Sequence, residues 1–390
     1  MQPNDIVIVA AKRTPIGAFL GDLAQFSATE LGAYAHVGAM QAAGIDPALI
    51  DEVIYGCVLQ AGLGQAPARQ TSIAAQIPDT TGATTINKVC GSGMKAVMLA
   101  HDAIIAGSAN MILAGGMESM SNAPYLLKKA RTGYRAGDGV LKDHIFIDGL
   151  EDAYTTGTAM GVFAEATVKL FNLDRASQDA YAVESMTRAL DAQKNSAFLD
   201  EIVPINGKNG PITQDQIPDP VKIQKIPGLK PAFQTDGTIT AANASSLADG
   251  AASLIVTTYA HAKKHNLTPL ARIVAHATHA QQPCWFTLSP APAIRKVLAA
   301  AKWSLDQVDL FEINEAFAVV ALVAIQELSL EPNKVNVHGG ACALGHPIGA
   351  SGARIIVTLL HALKLHHKKR GIAALCIGGG EATAMALEVI

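Results

Sequence analysis

The chain has 390 residues, with 30 Lys and Arg against 33 Asp and Glu and a formal charge of −3. Hydrophobic residues make up 49% and charged residues only 16%, which excludes a disordered polyelectrolyte, and the balanced charge gives no overall pull toward nucleic acid. The length exceeds the roughly 250–300 residues that one core serves, so two core-bearing units are expected.

No apolar run reaches the ~18–20 residues of a membrane span. The five cysteines, Cys57, Cys90, Cys284, Cys342 and Cys376, lack CxxC spacing, so neither a disulfide framework nor a zinc ribbon is expected, and a reducing compartment is. The opening MQPNDIVIVAAKRTPIG has no charged region ahead of an apolar segment and reads as a first strand rather than a signal peptide. The expected location is cytoplasmic, or the mitochondrial matrix if a transit peptide has been removed.

In chain order, IVIVA at 6–10 reads as a buried strand. FSATELGAYAHVGAMQAAG then offers Ser27 as an N-cap with Glu30 three residues on, a capping box, and Gly44 as the stop. IDPALIDEVIYGCVL supplies a short Pro-started helix and a second strand. A small-residue helix around 66–77 leads to TTINKVC, a third strand running up to Cys90, and GSGMKAVMLAHDAIIAG is a helix beginning just past that cysteine. MILAGG closes the unit as another strand. Helical crossovers in this order call for a largely parallel sheet covered on both faces.

From about 120 to 245 the texture changes. Gly, Pro, Asp and Lys rise, and one clear helix, DRASQDAYAVESMTRALDAQ, stands among turns and short strands; this reads as a long insertion rather than a separate core. From about 271 the alternation resumes with ARIVAHA, PAPAIRKVLAAAKW, VDLFEIN, EAFAVVALVAIQEL, KVNVHGG, a helix over 349–369, IAALCIGGG and a terminal strand TAMALEVI. HHKKR at 366–370 reads as the solvated end of that long helix. Both TTINKVCGSGMKAVMLAHDAIIAGSANMILAGG and the stretch from KVNVHGG to CIGGG run strand, small-residue turn, helix, then glycine-ended strand. That is a degenerate duplication on the scale of a domain.

Four places carry candidate chemistry. Cys90 stands at the mouth of a helix, where unpaired N–H groups favour the thiolate and lower its pKa; the competing reading is a small buried hydrophobe. His346, before Pro347 in GHPIGASGAR, is held by backbone geometry and suits a base toward a thiol or an N–H donor to an oxyanion, against the reading of a turn histidine. Cys342, four residues earlier, makes with it only two possible metal ligands. Cys376 in CIGGGEA presents a second thiol at a strand end beside N–H groups able to bind negative charge, or else simply packs the core. Asn314 in NEAFA follows a strand and reads most simply as a helix N-cap. Strand ends at equivalent places in two halves converge on one crevice in open α/β sheets, which would bring all four together. Two thiols with one imidazole suit a reaction in which one thiol holds an acyl group and the other moves a proton. A dinucleotide-binding dehydrogenase is excluded because no GxGxxG follows the first strand.

NKVCGSGMKAV, NEAFA, VNVHGGACALGHPIGASGAR and CIGGGEATAMALE resemble the four signature blocks of the thiolases, and AANASSLADGAA resembles their cofactor-loop segment. The likeness runs from residue 5 to 390 and is closest to the acetyl-CoA acetyltransferase, or acetoacetyl-CoA thiolase, type. It implies an α/β thiolase fold of two duplicated αβαβα-type halves with an inserted loop domain. The units are then 1–119 with 246–270, 120–245, and 271–390. It also implies a homo-oligomer, a tetramer built as a dimer of dimers, and reversible Claisen condensation of acyl-CoA molecules, with coenzyme A as substrate and no tightly bound cofactor or metal. By the same resemblance Cys90 is the nucleophile, His346 activates it and Cys376 moves the α-proton. One oxyanion hole is formed by the N–H groups of Cys90 and Gly378, the other by His346 with a water held by Asn314. Ser245 meets the pantetheine, and Phe233, Phe317, Met160 and Ala244 line its tunnel.

Two departures bear on chain length. Ala159 stands where acetyl-specific members carry a histidine, and QQPCWFTLSPAP places Trp285 and Phe286 where small residues are usual, so the rings either shorten the acyl pocket or pack the core. A longer-chain 3-ketoacyl-CoA thiolase is the alternative activity. A decarboxylating ketoacyl synthase has no second catalytic cysteine, and a non-catalytic acyl-CoA-binding relative is at odds with four intact blocks.

Overall fold

A computed structural model describes all 390 residues. The first half contributes strands β1 (Ile6–Arg13), β2 (Glu52–Gly56), β3 (Gly82–Ile86) and β4 (Met111–Ser119), with helices α1 (Ala28–Ala43), α2 (Pro67–Ala74) and α3 (Ser92–Ile105) between them. The Ser27–Glu30 capping box and the left-handed Gly44 bound α1 as its sequence demands. Between residues 120 and 247 the chain leaves the main sheet. Its two longest helices are α4 (Met160–Leu170) and α5 (Arg175–Lys194), and only α5 was evident from sequence. Ala159 provides no side-chain cap for α4, so the usual start signal is missing. β5 (Ala248–Thr258) returns to the sheet. The second half then supplies β6 (Ala271–Ala280), α6 (Pro290–Ala301), β7 (Leu310–Ile313), α7 (Ala318–Leu328), α8 (Ile348–Leu365), β8 (Arg370–Ile377) and β9 (Glu381–Val389).

Strand pairing makes the duplication explicit. The sheet path is β7-β8-β9-β6-β1-β5-β4-β2-β3, with Gly17–Ala18 beside β5. Its centre, β1 against β6, is held by only two pairs, Val7↔Arg272 and Ile8↔Ala271. Outward from that junction the two sides repeat. β1/β5 and β5/β4 are antiparallel, as are β6/β9 and β9/β8; then β4/β2 and β2/β3 are parallel, as is β8/β7. In place of a strand equivalent to β3, KVNV makes a single parallel bridge, Phe311↔Val335. The expected largely parallel sheet is therefore wrong in the middle: strands β5 and β9 each enter after a reversal of chain direction. Helices α3 and α8 pack on each other between the two half-sheets, α1 and α2 cover the outer face of one, and α6 and α7 that of the other. The layers thus run α/β/α/β/α, in keeping with the α/β fold that the resemblance implies.

By length and a mean hydropathy of 1.4, α8 is apolar enough to cross a membrane, contrary to the sequence reading. It is 89% buried, sandwiched between the two half-sheets, and its composition is that of a core helix.

Candidate active site

β3 stops at Ile86 rather than running up to Cys90. Val89 adopts φ +46°, a left-handed conformation costly for a β-branched residue, and this ends the extended run. The bend is over-determined: Asn87 Oδ1 accepts the Val89 N–H (2.9 Å), Ser92 Oγ accepts the Lys88 N–H (2.8 Å) and donates to Val89 O (2.7 Å). Cys90 is left partly exposed at the head of α3. A Cβ on Gly91 would lie 2.3 Å from Ile377 Cδ1, so glycine there lets the loop approach the end of β8. An ion pair between Lys88 and Glu381 ties the same loop to the turn after Cys376.

Cys376 is the penultimate residue of β8 and is buried. The turn that follows needs Gly380, at φ +84°, where a Cβ would sit 2.5 Å from Gln281 O. The N–H groups of Gly378 and of Cys90 itself lie on the side of the Cys90 sulfur and favour its thiolate. Burial nevertheless outweighs them and pushes the Cys90 thiol up to about 11. The expected lowering by the helix terminus is thus overturned, because desolvation of the thiolate exceeds what two N–H dipoles return. Burial likewise pushes the Cys376 thiol well above its ordinary value, and the neighbouring Cys90 adds to the effect.

His346 follows Gly345 at φ +98° and precedes α8; its N–H donates to Ser246 O (3.0 Å). Its Nδ1 lies 2.5 Å from Ser351 Oγ, and that hydroxyl donates to Pro347 O (2.9 Å). With the serine proton committed to the carbonyl, Oγ accepts, so the chain assigns the Nδ1–H tautomer and leaves Nε2 with a free lone pair. Nε2 is buried and has no protein partner. Burial, reinforced by Arg354, depresses the imidazole pKa to about 3, so the ring is a neutral acceptor.

Asn314 is not a helix cap, since α7 begins only at Ala318. It lies just past β7, is buried, and neither Oδ1 nor Nδ2 has a protein partner. The adjacent Glu315 is saturated. It accepts from Tyr181 Oη (2.9 Å), Ser185 Oγ (2.8 Å), Asn336 Nδ2 (2.9 Å) and Cys342 N–H (3.0 Å), anchoring α5 to this loop. Cys342 is spent in that network, with its sulfur 3.8 Å from Glu315 O, and forms no ligand pair with His346.

A cavity of about 490 Å³ joins these parts. Cys90, His346, Cys376 and Gly378 line it together with Ser245, Ala244, Met160, Phe233 and Phe317, so nine of the ten sequence candidates share one space. Asn314 does not reach the wall. The apolar side is built by Phe317, which stacks edge-on against Phe233 (5.8 Å) and Phe286 (6.3 Å), and by Gly161, whose missing side chain admits the Phe233 ring. Ser245 N–H donates to Ala316 O (3.0 Å), closing the 244–246 loop onto the segment after β7. Of the two bulky rings at 285–286, Phe286 lines the cavity and Trp285 does not. Sequence reasoning missed Ser351, for which the signal was a hydroxyl five residues past the histidine. It also missed Glu118, a fully buried carboxyl that accepts N–H groups from Val58 (3.1 Å), Leu59 (3.1 Å) and Gly349 (2.8 Å), and so holds the start of α8.

Two family descriptions together span nearly the whole chain: "Thiolase, N-terminal domain" over residues 6–260 and "Thiolase, C-terminal domain" over residues 267–389. The chain is a thiolase. It is 48% identical to an acetyl-CoA acetyltransferase of Cupriavidus necator and 49% identical to one of Escherichia coli, in each case over 99% of both chains. A mouse mitochondrial acetyl-CoA acetyltransferase is 48% identical over 99% of this chain and 91% of its own. Among solved structures, the Bacillus anthracis acetyl-CoA acetyltransferase superposes with a TM-score of 0.96 at 41% identity, covering 99% of both chains. The Acat5 thiolase of Ascaris suum, solved in complex with coenzyme A, gives 0.94 at 43% identity, covering 99% of this chain and all of the other.

Proposed function

We propose that this thiolase catalyses the reversible Claisen condensation of two acetyl-CoA to acetoacetyl-CoA and CoA. The observation that carries the reading is the meeting of two thiols, an imidazole with a free Nε2 lone pair and two convergent backbone N–H groups in one largely apolar cavity. The relatives at 45–49% identity carry the same activity in their names.

His346 Nε2 takes the Cys90 proton as the sulfur attacks the first acetyl-CoA carbonyl, and the oxyanion forms against the N–H groups of Cys90 and Gly378. The departing CoA thiolate recovers the proton from His346, leaving an acetyl thioester on Cys90. As a second acetyl-CoA binds, the Cys376 thiol passes its proton to His346 Nε2, and the resulting thiolate takes an α-proton from that acetyl-CoA. The Nε2–H of the now protonated His346 donates to the enolate oxygen, and Asn314 serves it through a water since it stands behind the wall. The enolate carbon attacks the Cys90 thioester, acetoacetyl-CoA leaves, and the released Cys90 thiolate recovers the proton held on His346, so that both thiols and the imidazole are again neutral. Each preorganised donor is worth about 2.7–4 kcal/mol of barrier in such sites. Because the Cys90 thioester and the CoA thioester are close in energy, every step runs in both directions. Ser245, Ala244, Met160, Phe233 and Phe317 flank the pantetheine arm, and the 120–245 insertion supplies much of that wall. No tightly bound cofactor or metal enters the scheme.

Cys90→Ala should abolish acyl-enzyme formation from labelled acetyl-CoA, whereas Cys376→Ala should still acylate but condense very slowly. Equal acylation defects would contradict this division of roles. A second reading, thiolysis of longer 3-ketoacyl-CoA, is favoured by the small Ala159 on the cavity wall, while Phe146, Leu150 and Phe286 on the same wall favour short chains. Thiolysis rates at C4 against C8 and C16 decide between them. The chain also self-associates on this reading, to a dimer of dimers in the cytoplasm or mitochondrial matrix. β3 has an open edge, and a hairpin of Tyr125–Leu127 and Leu141–Asp143 exposes Tyr125, Leu127 and Leu141. Sedimentation of the full chain distinguishes monomer, dimer and tetramer.

A further inference from the structure

Away from the cavity, the last turns of α3 meet β6 at a cluster of three side chains, His101, Asp102 and His276. Asp102 Oδ1 lies 3.0 Å from His101 Nδ1 and 2.9 Å from His276 Nε2, and the two ring nitrogens are 3.2 Å apart. The rings stand edge to face with centroids 4.8 Å apart, so neither can swing away without leaving the other. Both imidazoles are mostly buried at 14% and 16% exposure, while Asp102, at 51%, keeps the cluster open to solvent.

We propose that His101, Asp102 and His276 form a binding site for a divalent first-row transition-metal cation. The argument is one of donor chemistry and spacing. Imidazole nitrogen and carboxylate oxygen bind such ions at about 2.0–2.2 Å, which places neighbouring donors roughly 2.9–3.4 Å apart. The three separations observed, 2.9, 3.0 and 3.2 Å, fall in that range, and all three donor atoms lie within 4.8 Å of one another. A point about 2 Å from all three therefore lies just off their plane, on one face of a coordination sphere whose remaining positions water can fill. The ligands come from two elements in different halves of the fold, so a bound ion clasps α3 to the second half-sheet.

Calorimetric titration of the full chain with Ni²⁺ tests the site. Wild type should bind one ion that His276→Gln and His101→Gln each weaken at least tenfold, with thiolysis rates kept, and that Cys90→Ser leaves unchanged. Ni²⁺ at saturation should raise the melting temperature of wild type and not that of His276→Gln. Retention of full affinity in His276→Gln, which would put the ion on another group such as the His261–His265 pair, overturns the proposal, as does loss of binding in Cys90→Ser, which would put it on the catalytic thiol.

Discussion

Replacing Ser351 with Ala removes the only protein partner of His346 Nδ1. The Nδ1–H would then be a buried donor without an acceptor, a loss of about 1–3 kcal/mol. The ring escapes part of that cost by moving its proton to Nε2, which faces the cavity, but an Nε2–H imidazole cannot take a proton from Cys90. At about 1.4 kcal/mol per factor of ten, the population of competent tautomer, and with it the rate of acylation, falls roughly five- to hundredfold. Rapid-quench measurement of acetyl transfer from labelled acetyl-CoA to Cys90 reads this directly. The loss should fall on kcat rather than on KM, because no contact to the substrate's remote parts changes. Ser351→Thr keeps the hydroxyl and should restore most of the rate, whereas a purely structural role would make Thr, with its extra methyl at a fully buried position, at least as harmful as Ala. An acylation rate in Ser351→Ala within twofold of wild type would refute the tautomer argument.

In the free protein, alkylation of Cys90 by iodoacetamide, followed by mass spectrometry, should rise about tenfold per pH unit between 7 and 9, as expected for a thiol at about 11; a plateau near neutrality would show that the sulfur is ionised without substrate. Glu315→Gln turns an amide N–H₂ toward groups that are themselves donors, and should cost about 1–3 kcal/mol, read as a drop in urea midpoint; a loss under about 0.5 kcal/mol would mean that Tyr181, Ser185 and Cys342 N–H find other acceptors. His36, fully buried between Ser253 and Thr71, has its pKa depressed from 6.5 to about 3. Its contribution to stability is present above pH 6.5 and lost as pH falls toward 3, because the unfolded chain binds the proton first. His36→Gln should flatten the acid limb of stability against pH by up to about 1.4 kcal/mol per unit, and an unchanged limb would refute that assignment.

The sequence was most informative where local chemistry alone decides structure. Ser27, Glu30 and Gly44 bound α1 through contacts with their own neighbours, so a reading of adjacent residues finds them. The glycines around Cys90, His346 and Cys376 marked places where backbones come close, and the cavity lies there. What escaped depended on partners remote in the chain. The antiparallel return of β5 is fixed by β1 and β4, on the far side of the insertion. The end of β3 is set by Val89 in a conformation that its residue type disfavours. Asn314 looked like a cap because a strand precedes it and a helix follows, and only the fold shows that three residues intervene. The Cys90 pKa was misjudged for the same reason: a helix terminus is visible in sequence, while the depth of burial that opposes it is not.

That burial bears on the order of events in the proposed reaction. Cys90 and Cys376 lie close enough for each thiolate to oppose the other, and burial already disfavours both. Two sulfur anions in one low-dielectric cavity are therefore excluded, and the free site holds two neutral thiols beside a neutral imidazole. Acylation of Cys90 converts that sulfur into an uncharged thioester and removes the like-charge repulsion on Cys376. The second thiol thus becomes easier to ionise only after the first has taken its cargo, which is when an α-proton must be removed. A single thiol strongly acidified in the resting state would lose this sequence, since its standing charge would oppose its neighbour throughout the cycle. Keeping all three groups neutral until substrate arrives also leaves the Cys90 and Gly378 N–H groups without a resident anion. Their full electrostatic effect then falls on the oxygen whose charge develops in the transition state.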